Sequence, residues 1–246
     1  MSVHFEEAGR GNSPSIVMVH GAGGSSATWF MQLRGLAHSF HVVAIDLNGH
    51  GRTPDRNPDD VTASYLEDIA SVVEGLHEPV LAGHSMGGAL AQLYALEMPD
   101  RISGLILIST GARLRVAQFI FDLLDNDFDG YVEAVGKYMF AEGASKELIS
   151  ASKAEVRKCP PEIIRRDFVV CNEFDIMDQV KNIRVPTLVI VGSEDVMTPV
   201  KYAAYLNGQI HESILKVIEG AGHSVMLERP HEVNEAIIEW VSSSLR

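Results

Sequence analysis

The chain has 246 residues, 46% of them apolar, which is enough for one large domain with a sizeable core. Its formal net charge of −13 is spread without a long acidic run, which speaks against nucleic acid and anionic membrane surfaces as partners. No apolar run is long enough to cross a membrane, the start carries Glu6 and Glu7 instead of a signal-type apolar stretch, and Cys159 and Cys171 lack the spacing of a metal or redox pair, so a cytoplasmic protein with reduced thiols is expected.

Taken in chain order, short apolar runs alternate with longer helical patterns. Val3–Glu7 reads as a short strand and Ser15–His20 as a buried one, because Ile16-Val17-Met18-Val19 is apolar without alternation. A glycine-rich turn, His20-Gly21-Ala22-Gly23-Gly24, follows. Then come a helix over Ala27–His38, a strand over His41–Asp46, a helix over Thr62–Leu76 and a strand over Pro79–Gly83. A helix over Met86–Met98 and a strand over Ile102–Ser109 continue the rhythm. From about Arg113 to Arg184 the rhythm breaks, and only helical patterns appear: Val116–Asp125, Asp129–Phe140, Lys146–Lys158 and Glu162–Glu173. About half of the chain's aromatic residues fall there. A strand over Thr187–Gly192, a helix over Val200–Asn207, a strand over Ser213–Glu219 and a helix over His231–Ser243 complete the chain. This order predicts an α/β fold. A mostly parallel central sheet carries helices on both faces, built from residues 1–112 and 185–246, and an all-helical cap, 113–184, is inserted into it.

The chemistry-bearing residues sit at the ends of strands. Gly83-His84-Ser85-Met86-Gly87 matches G-x-S-x-G between a predicted strand and a predicted helix, where a serine on a sharp turn needs neighbours without Cβ atoms. The helix N-terminus behind Ser85 favours developing negative charge. The turn at His20–Gly24 exposes backbone N–H groups, and neither a Walker pattern nor a complete G-x-G-x-x-G supports a phosphate site there. Gly192-Ser193-Glu194-Asp195 ends a buried strand, offering two acidic residues in position to orient a histidine. Gly220-Ala221-Gly222-His223 follows the last strand and places a histidine between glycines and a final helix. Of the other histidines, His84 is expected to point elsewhere on its turn, and His20 and His50 to hydrogen-bond loops. His77, His211 and His231 each precede a glutamate, but none completes H-E-x-x-H, so no metal site is expected.

These motifs, in this order, resemble the α/β-hydrolase family over essentially the whole chain. The match comprises His20–Gly24, Gly83–Gly87 with Gly88, Gly192–Asp195 followed by Pro199, and Gly220–His223. Asp46-Leu47-Asn48-Gly49-His50-Gly51-Arg52 is similar to the family's turn after an early strand. It departs in having Asn48 where Arg or Pro is frequent, and Thr53 where Ser is frequent. The resemblance implies Ser85 as nucleophile, His223 as base, Asp195 in preference to Glu194 as acid, and the Ala22 and Met86 N–H groups as oxyanion donors. It implies a serine hydrolase acting on a small apolar carboxylic ester without cofactor or metal. The same triad serves thioesterases, lactonases, carbon–carbon bond hydrolases and ligand-binding receptors. In the cap, Phe128, Tyr131, Val132, Val135 and Met139 follow helix spacing and are expected to form its internal face, leaving Phe119 and Phe140 to meet substrate.

Overall fold

A strand buried on both faces has no reason to alternate polar with apolar residues, and the central strands of this chain do not. In a computed structural model, which describes residues 3–77 and 79–245, seven strands form one sheet. They are β1 (Phe5–Ala8), β2 (Ser15–Val19), β3 (His41–Ile45), β4 (Val80–His84), β5 (Gly104–Ile108), β6 (Thr187–Gly192) and β7 (Ser213–Ile218), in the spatial order β1-β3-β2-β4-β5-β6-β7. All neighbours pair in parallel except β1, which runs antiparallel to β3 with Phe5 opposite Ile45.

Odd and even positions feed two different cores. Val17, Val19, Leu81, Leu105, Leu107 and Val189 face α2 (Val61–Val73), α3 (Met86–Glu97) and α8 (Val200–Gln209), meeting Tyr65, Ile69, Leu90 and Leu206. Ile16, Met18, Ala82, Ile106 and Ile190 face the opposite layer, where α1 (Phe30–Leu36) and α10 (Pro230–Ser244) contribute Leu36, Val233, Ile237 and Trp240. Each such aliphatic side chain, fully buried, stabilises the fold by roughly 1.5–3 kcal/mol, so the sheet is the rigid platform of the molecule.

The strands fall where the sequence puts them, to within two residues at either end. The helix read over Ala27–His38 instead begins as a 3₁₀ turn, Ser26–Trp29, with the Ser25 hydroxyl accepting the Ala27 N–H, and becomes α1 only at Phe30. The helix read to Leu76 stops at Val73, just before Gly75. Between β5 and β6 lie α4 (Gln118–Asn126), α5 (Phe128–Tyr138), α6 (Lys146–Val156) and α7 (Pro161–Glu173), with no strand among them. They share a small core of Leu124, Tyr131, Val132, Val135, Ile163 and Ile164. The chain enters and leaves this cap side by side, through an antiparallel bridge of Arg113 with Asp175 and an Ile176 N–H donating to the Ala112 carbonyl at 2.8 Å. A last short helix, α9 (Val225–Glu228), follows β7.

Candidate active site

The tight spot of the fold is the turn from β4 into α3. Ser85 has φ 53° and ψ −115°, a conformation that costs a side-chain-bearing residue about 1–3 kcal/mol. Its neighbours show why glycine is required. A Cβ on Gly83 would lie 2.1 Å from the Gly87 carbonyl oxygen, and one on Gly87 would lie 2.3 Å from the Val19 carbonyl oxygen. The Thr110 hydroxyl fixes the strained residue by donating to the Ser85 carbonyl at 2.8 Å.

Beyond β7, His223 is almost wholly buried, yet it lines the same cavity as Ser85. Its Nδ1–H donates to Asp195 Oδ2 at 2.9 Å. Asp195 is held from every side: Oδ1 accepts the Met197 and Thr198 N–H groups at 2.9 and 2.8 Å, and Oδ2 also accepts the Thr198 hydroxyl at 2.8 Å. Burial alone would raise the Asp195 pKa. The charge and hydrogen bond of His223, with the Thr198 donors, outweigh burial and hold it at about 2. Glu194 faces away, its exposed carboxylate accepting the Glu142 N–H of the cap at 3.2 Å. Thr198 was not singled out from sequence. The signal was available, because an Asp followed by a Thr three residues later, next to Pro199, is a turn in which the carboxylate gathers successive N–H groups.

The glycine-rich turn after β2 lies across from the elbow. Gly24 N–H donates to the Gly21 carbonyl at 3.0 Å, closing the turn, and a Cβ on Gly21 would stand 3.2 Å from the Ser85 Cβ. Ala22 lines the cavity, and Met86 is the first residue of α3. Among the described residues, neither of their N–H groups has a protein acceptor.

One histidine departs from expectation, and two hydrogen-bond loops as expected, one of them with a further partner. His84 does not point away. Its ring centroid lies 4.8 Å from that of His223, and its Nε2–H donates to the His223 carbonyl at 3.0 Å. Burial, reinforced by the nearby His223, lowers the His84 pKa to about 3, so it stays neutral and buttresses the loop. His20 does hydrogen-bond loops: Nδ1–H donates to the Gly21 carbonyl at 2.8 Å and Nε2 accepts the Leu47 N–H at 3.2 Å. His50 donates to the Asn48 carbonyl, as a loop histidine would, but its Nε2 also meets Asp167 of α7 at 2.8 Å, a partner invisible in the sequence. The departures in that turn are both used. Asn48 accepts the Arg56 N–H, and the Thr53 hydroxyl donates to the Asp46 carbonyl at 2.7 Å.

The cavity encloses about 750 Å³ between cap and core, in the range of sites for small organic ligands. Phe140, 8% exposed, lines it. Phe119 does not. It is 43% exposed, and its ring rests on Tyr138, 5.8 Å away, from outside the cavity wall. The helical stripe assigned to the cap interior does both jobs: Tyr131, Val135 and Met139 pack the cap and also face the cavity. Among the described residues no group of three or more His, Cys, Asp or Glu is arranged to hold a metal ion, and no helix is long and apolar enough to cross a membrane. Cys159 and Cys171 are free and buried.

A mostly parallel sheet with a strained serine at a strand-to-helix elbow and a carboxylate-bound histidine beyond the last strand defines the class of α/β hydrolases. The chain belongs to the alpha/beta hydrolase family, whose model matches residues 16–236. Its fold is similar to that of a thermophilic esterase at 32% identity, with a TM-score of 0.88 over 98% of this chain and 94% of that one. A thermophilic esterase from Thermogutta terrifontis superposes with a TM-score of 0.90 at 26% identity, over 99% of this chain and 94% of the other. Among sequence relatives, Monoacylglycerol lipase ABHD6 of Homo sapiens is 27% identical over 259 residues, covering 95% of this chain and 77% of that protein.

Proposed function

We propose that the protein is a serine hydrolase that cleaves carboxylic esters of small apolar substrates through an acyl-enzyme, with Ser85, His223 and Asp195 as its triad. One observation carries the reading: the carboxylate-bound His223 and the strained Ser85 open onto one apolar-walled cavity. His223 Nε2 takes the Ser85 proton as Oγ attacks the carbonyl, then returns it to the leaving alcohol. Asp195 keeps the other ring nitrogen protonated and stabilises the cation. The Ala22 and Met86 N–H groups receive the oxyanion, a contact typically worth about 3–4 kcal/mol per donor. Water then repeats the sequence on the acyl-enzyme, and no cofactor enters. Phe140 meets the substrate on the cavity wall.

The chain divides into an α/β core, residues 1–112 and 185–246, and a cap, 113–184, a reading supported by the isolated antiparallel bridge between Arg113 and Asp175 where the chain enters and leaves the helical block. A cytoplasmic location is supported by the free thiols. The resemblance to esterases supports the ester class. A fluorophosphonate should label Ser85 covalently. Ser85→Ala should lose labelling and about 10⁶-fold in turnover on a p-nitrophenyl ester, as expected when a triad acts as a unit. Labelling that survives the substitution would overturn the assignment.

A further inference from the structure

Among the buried carboxylates that the mechanism leaves unused, Asp167 is the one that bonds to the glycine-rich turn. Asp167 sits on α7 of the cap with no solvent exposure, and three different parts of the core donate to its carboxylate. Gly23 N–H, in the turn after β2, donates to Oδ2 at 2.8 Å. His50 Nε2–H, in the turn after β3, donates to the same oxygen at 2.8 Å. The Tyr65 hydroxyl, from α2, donates to Oδ1 at 2.5 Å. One turn earlier on α7, Ile164 presses on the same glycine: a Cβ on Gly23, at φ +66°, would stand 3.1 Å from Ile164 Cγ1. Gly23 adjoins Ala22, whose N–H is free. The other bonds that fix this turn, Gly24 to Gly21, His20 to Gly21 and Leu47 to His20, come from the turn itself and from the core. Among the described residues, Asp167 makes the hydrogen bond that reaches it from the cap, beside the packing of Ile164.

We propose that Asp167 is a positioning residue for the oxyanion site. Through the Gly23 N–H it sets the turn that presents the Ala22 N–H, while His50 and Tyr65 hold the carboxylate in place. The inference rests on the reading of Ser85 as nucleophile. Its electrostatics are consistent. A lone carboxylate next to a turn that must receive negative charge would oppose the reaction. Burial pulls the His50 pKa down, but the Asp167 charge and hydrogen bond outweigh burial and hold it up at about 10, so an imidazolium cancels the carboxylate at neutral pH. The remaining groups around the pair leave that balance intact. Burial and the charge of His50 lower His20 to about 4, keeping it neutral. Burial and the Asp167 charge raise Tyr65, Tyr131 and Cys171, keeping them protonated. Cys159 neighbours His50, Asp46 acts on His20 from the next turn, and Arg166 pairs with Asp55 at 3.0 Å.

The test uses the whole chain and compares Asp167→Ala, Asp167→Asn and Tyr65→Phe with the unmodified protein. Three quantities are read on each: kcat and KM on a p-nitrophenyl ester, and the affinity of a trifluoromethyl ketone, whose serine adduct carries the oxyanion. Asp167→Ala should lower kcat about tenfold or more with KM within about threefold, since a displaced donor weakens transition-state binding and leaves ground-state binding intact. The ketone affinity should fall in the same ratio as kcat/KM. Asp167→Asn should recover most of the loss, because its amide oxygen still accepts the Gly23 N–H. Tyr65→Phe keeps the packed ring, so it remains informative if the alanine variant does not fold; it should show a smaller loss in kcat and ketone affinity together. Any of three results overturns the proposal: kcat and ketone affinity within twofold in the folded variants, a defect confined to KM, or an asparagine variant no better than alanine. Absence of ester turnover and of Ser85 labelling in the unmodified protein would instead overturn the hydrolase reading, so the two failures are distinguishable.

Discussion

Replacing Asp195 by asparagine should cripple the enzyme while leaving it folded, and the hydrogen bonds say why. Oδ1 of Asp195 accepts two backbone N–H groups, from Met197 and Thr198, and those donors cannot move without rebuilding the turn. An asparagine must therefore place its carbonyl oxygen there, which puts its NH₂ at the present Oδ2 position, 2.9 Å from His223 Nδ1. An NH₂ donates, so Nδ1 must become an acceptor and the ring proton must move to Nε2. The nitrogen that should take the Ser85 proton is then already protonated. In a comparable triad the same change lowered turnover about 10⁴-fold, equivalent to about 5.5 kcal/mol of transition-state stabilisation. Glu194→Gln affects no tautomer, because among the described residues Glu194 accepts only the Glu142 N–H, and it should cost less than about tenfold. Both variants should be assayed at neutral pH on the best p-nitrophenyl ester, with thermal melting as the check on folding. A mild Asp195→Asn and a crippling Glu194→Gln would refute the reasoning, and so would two mild variants.

The Asp167–His50 pair should make the protein sensitive to alkali. The folded pKa of His50, about 10, lies above the unfolded value of 6.5, so its contribution is fully present below pH 6.5 and is lost, by at most about 1.4 kcal/mol per pH unit, as pH rises towards 10. Denaturant midpoints at pH 7 and pH 9 should diverge less in His50→Gln than in the unmodified protein, and equal divergence counts against the pairing. On the cavity wall, Val135→Phe should lower kcat/KM for octanoyl relative to acetyl esters by about tenfold, the order expected for a lost or crowded methylene site. An unchanged chain-length profile would show that the acyl group lies elsewhere. Activity should persist in a strong chelator, and loss followed by recovery with a divalent ion would contradict the metal-free mechanism.

What the sequence reveals follows from the range of the interactions concerned. The run Ile16–Val19 announces a doubly buried strand because burial on both faces is a property of that strand alone. The elbow announces itself because the clashes that demand Gly83 and Gly87 arise from chain segments fixed by the fold, and they leave a local trace. Asp195 and Glu194 remain alternatives in sequence because the choice depends on which side chain meets a histidine 28 residues away. Asp167 leaves no trace at all. Its partner Gly23 is 144 residues distant, and helical periodicity reports that a residue faces inward without reporting what it meets. The same limit misplaced Phe119 and made Tyr131, Val135 and Met139 read as cap interior only. The inner face of a cap and the roof of an apolar cavity have the same hydrophobic period.

The contacts between cap and core also bear on how a substrate gets in. The cap grips both sides of the site. On the histidine side, Ser224 N–H donates to the Met139 carbonyl at 2.8 Å, and Ala141 N–H donates to Glu228, whose other oxygen accepts the Gly222 N–H of the His223 loop. Glu142 N–H reaches Glu194 on the acid loop. On the oxyanion side stand the three bonds to Asp167. At about 1 kcal/mol net for each, and more where a charge is involved, swinging the cap open about its neck would cost several kcal/mol. It would also release His223 and Gly23 from their supports at the moment of binding. Entry through the existing mouth requires none of this. Phe30 and Met31 of α1 and Met197 beside the acid line that cavity while remaining 52%, 36% and 37% exposed, an apolar threshold for an apolar ester. The cap therefore stands as a wall of the cavity tied to the core on both sides, and the same helices carry Tyr131 and Val135 on the cavity wall and Asp167 at the turn after β2.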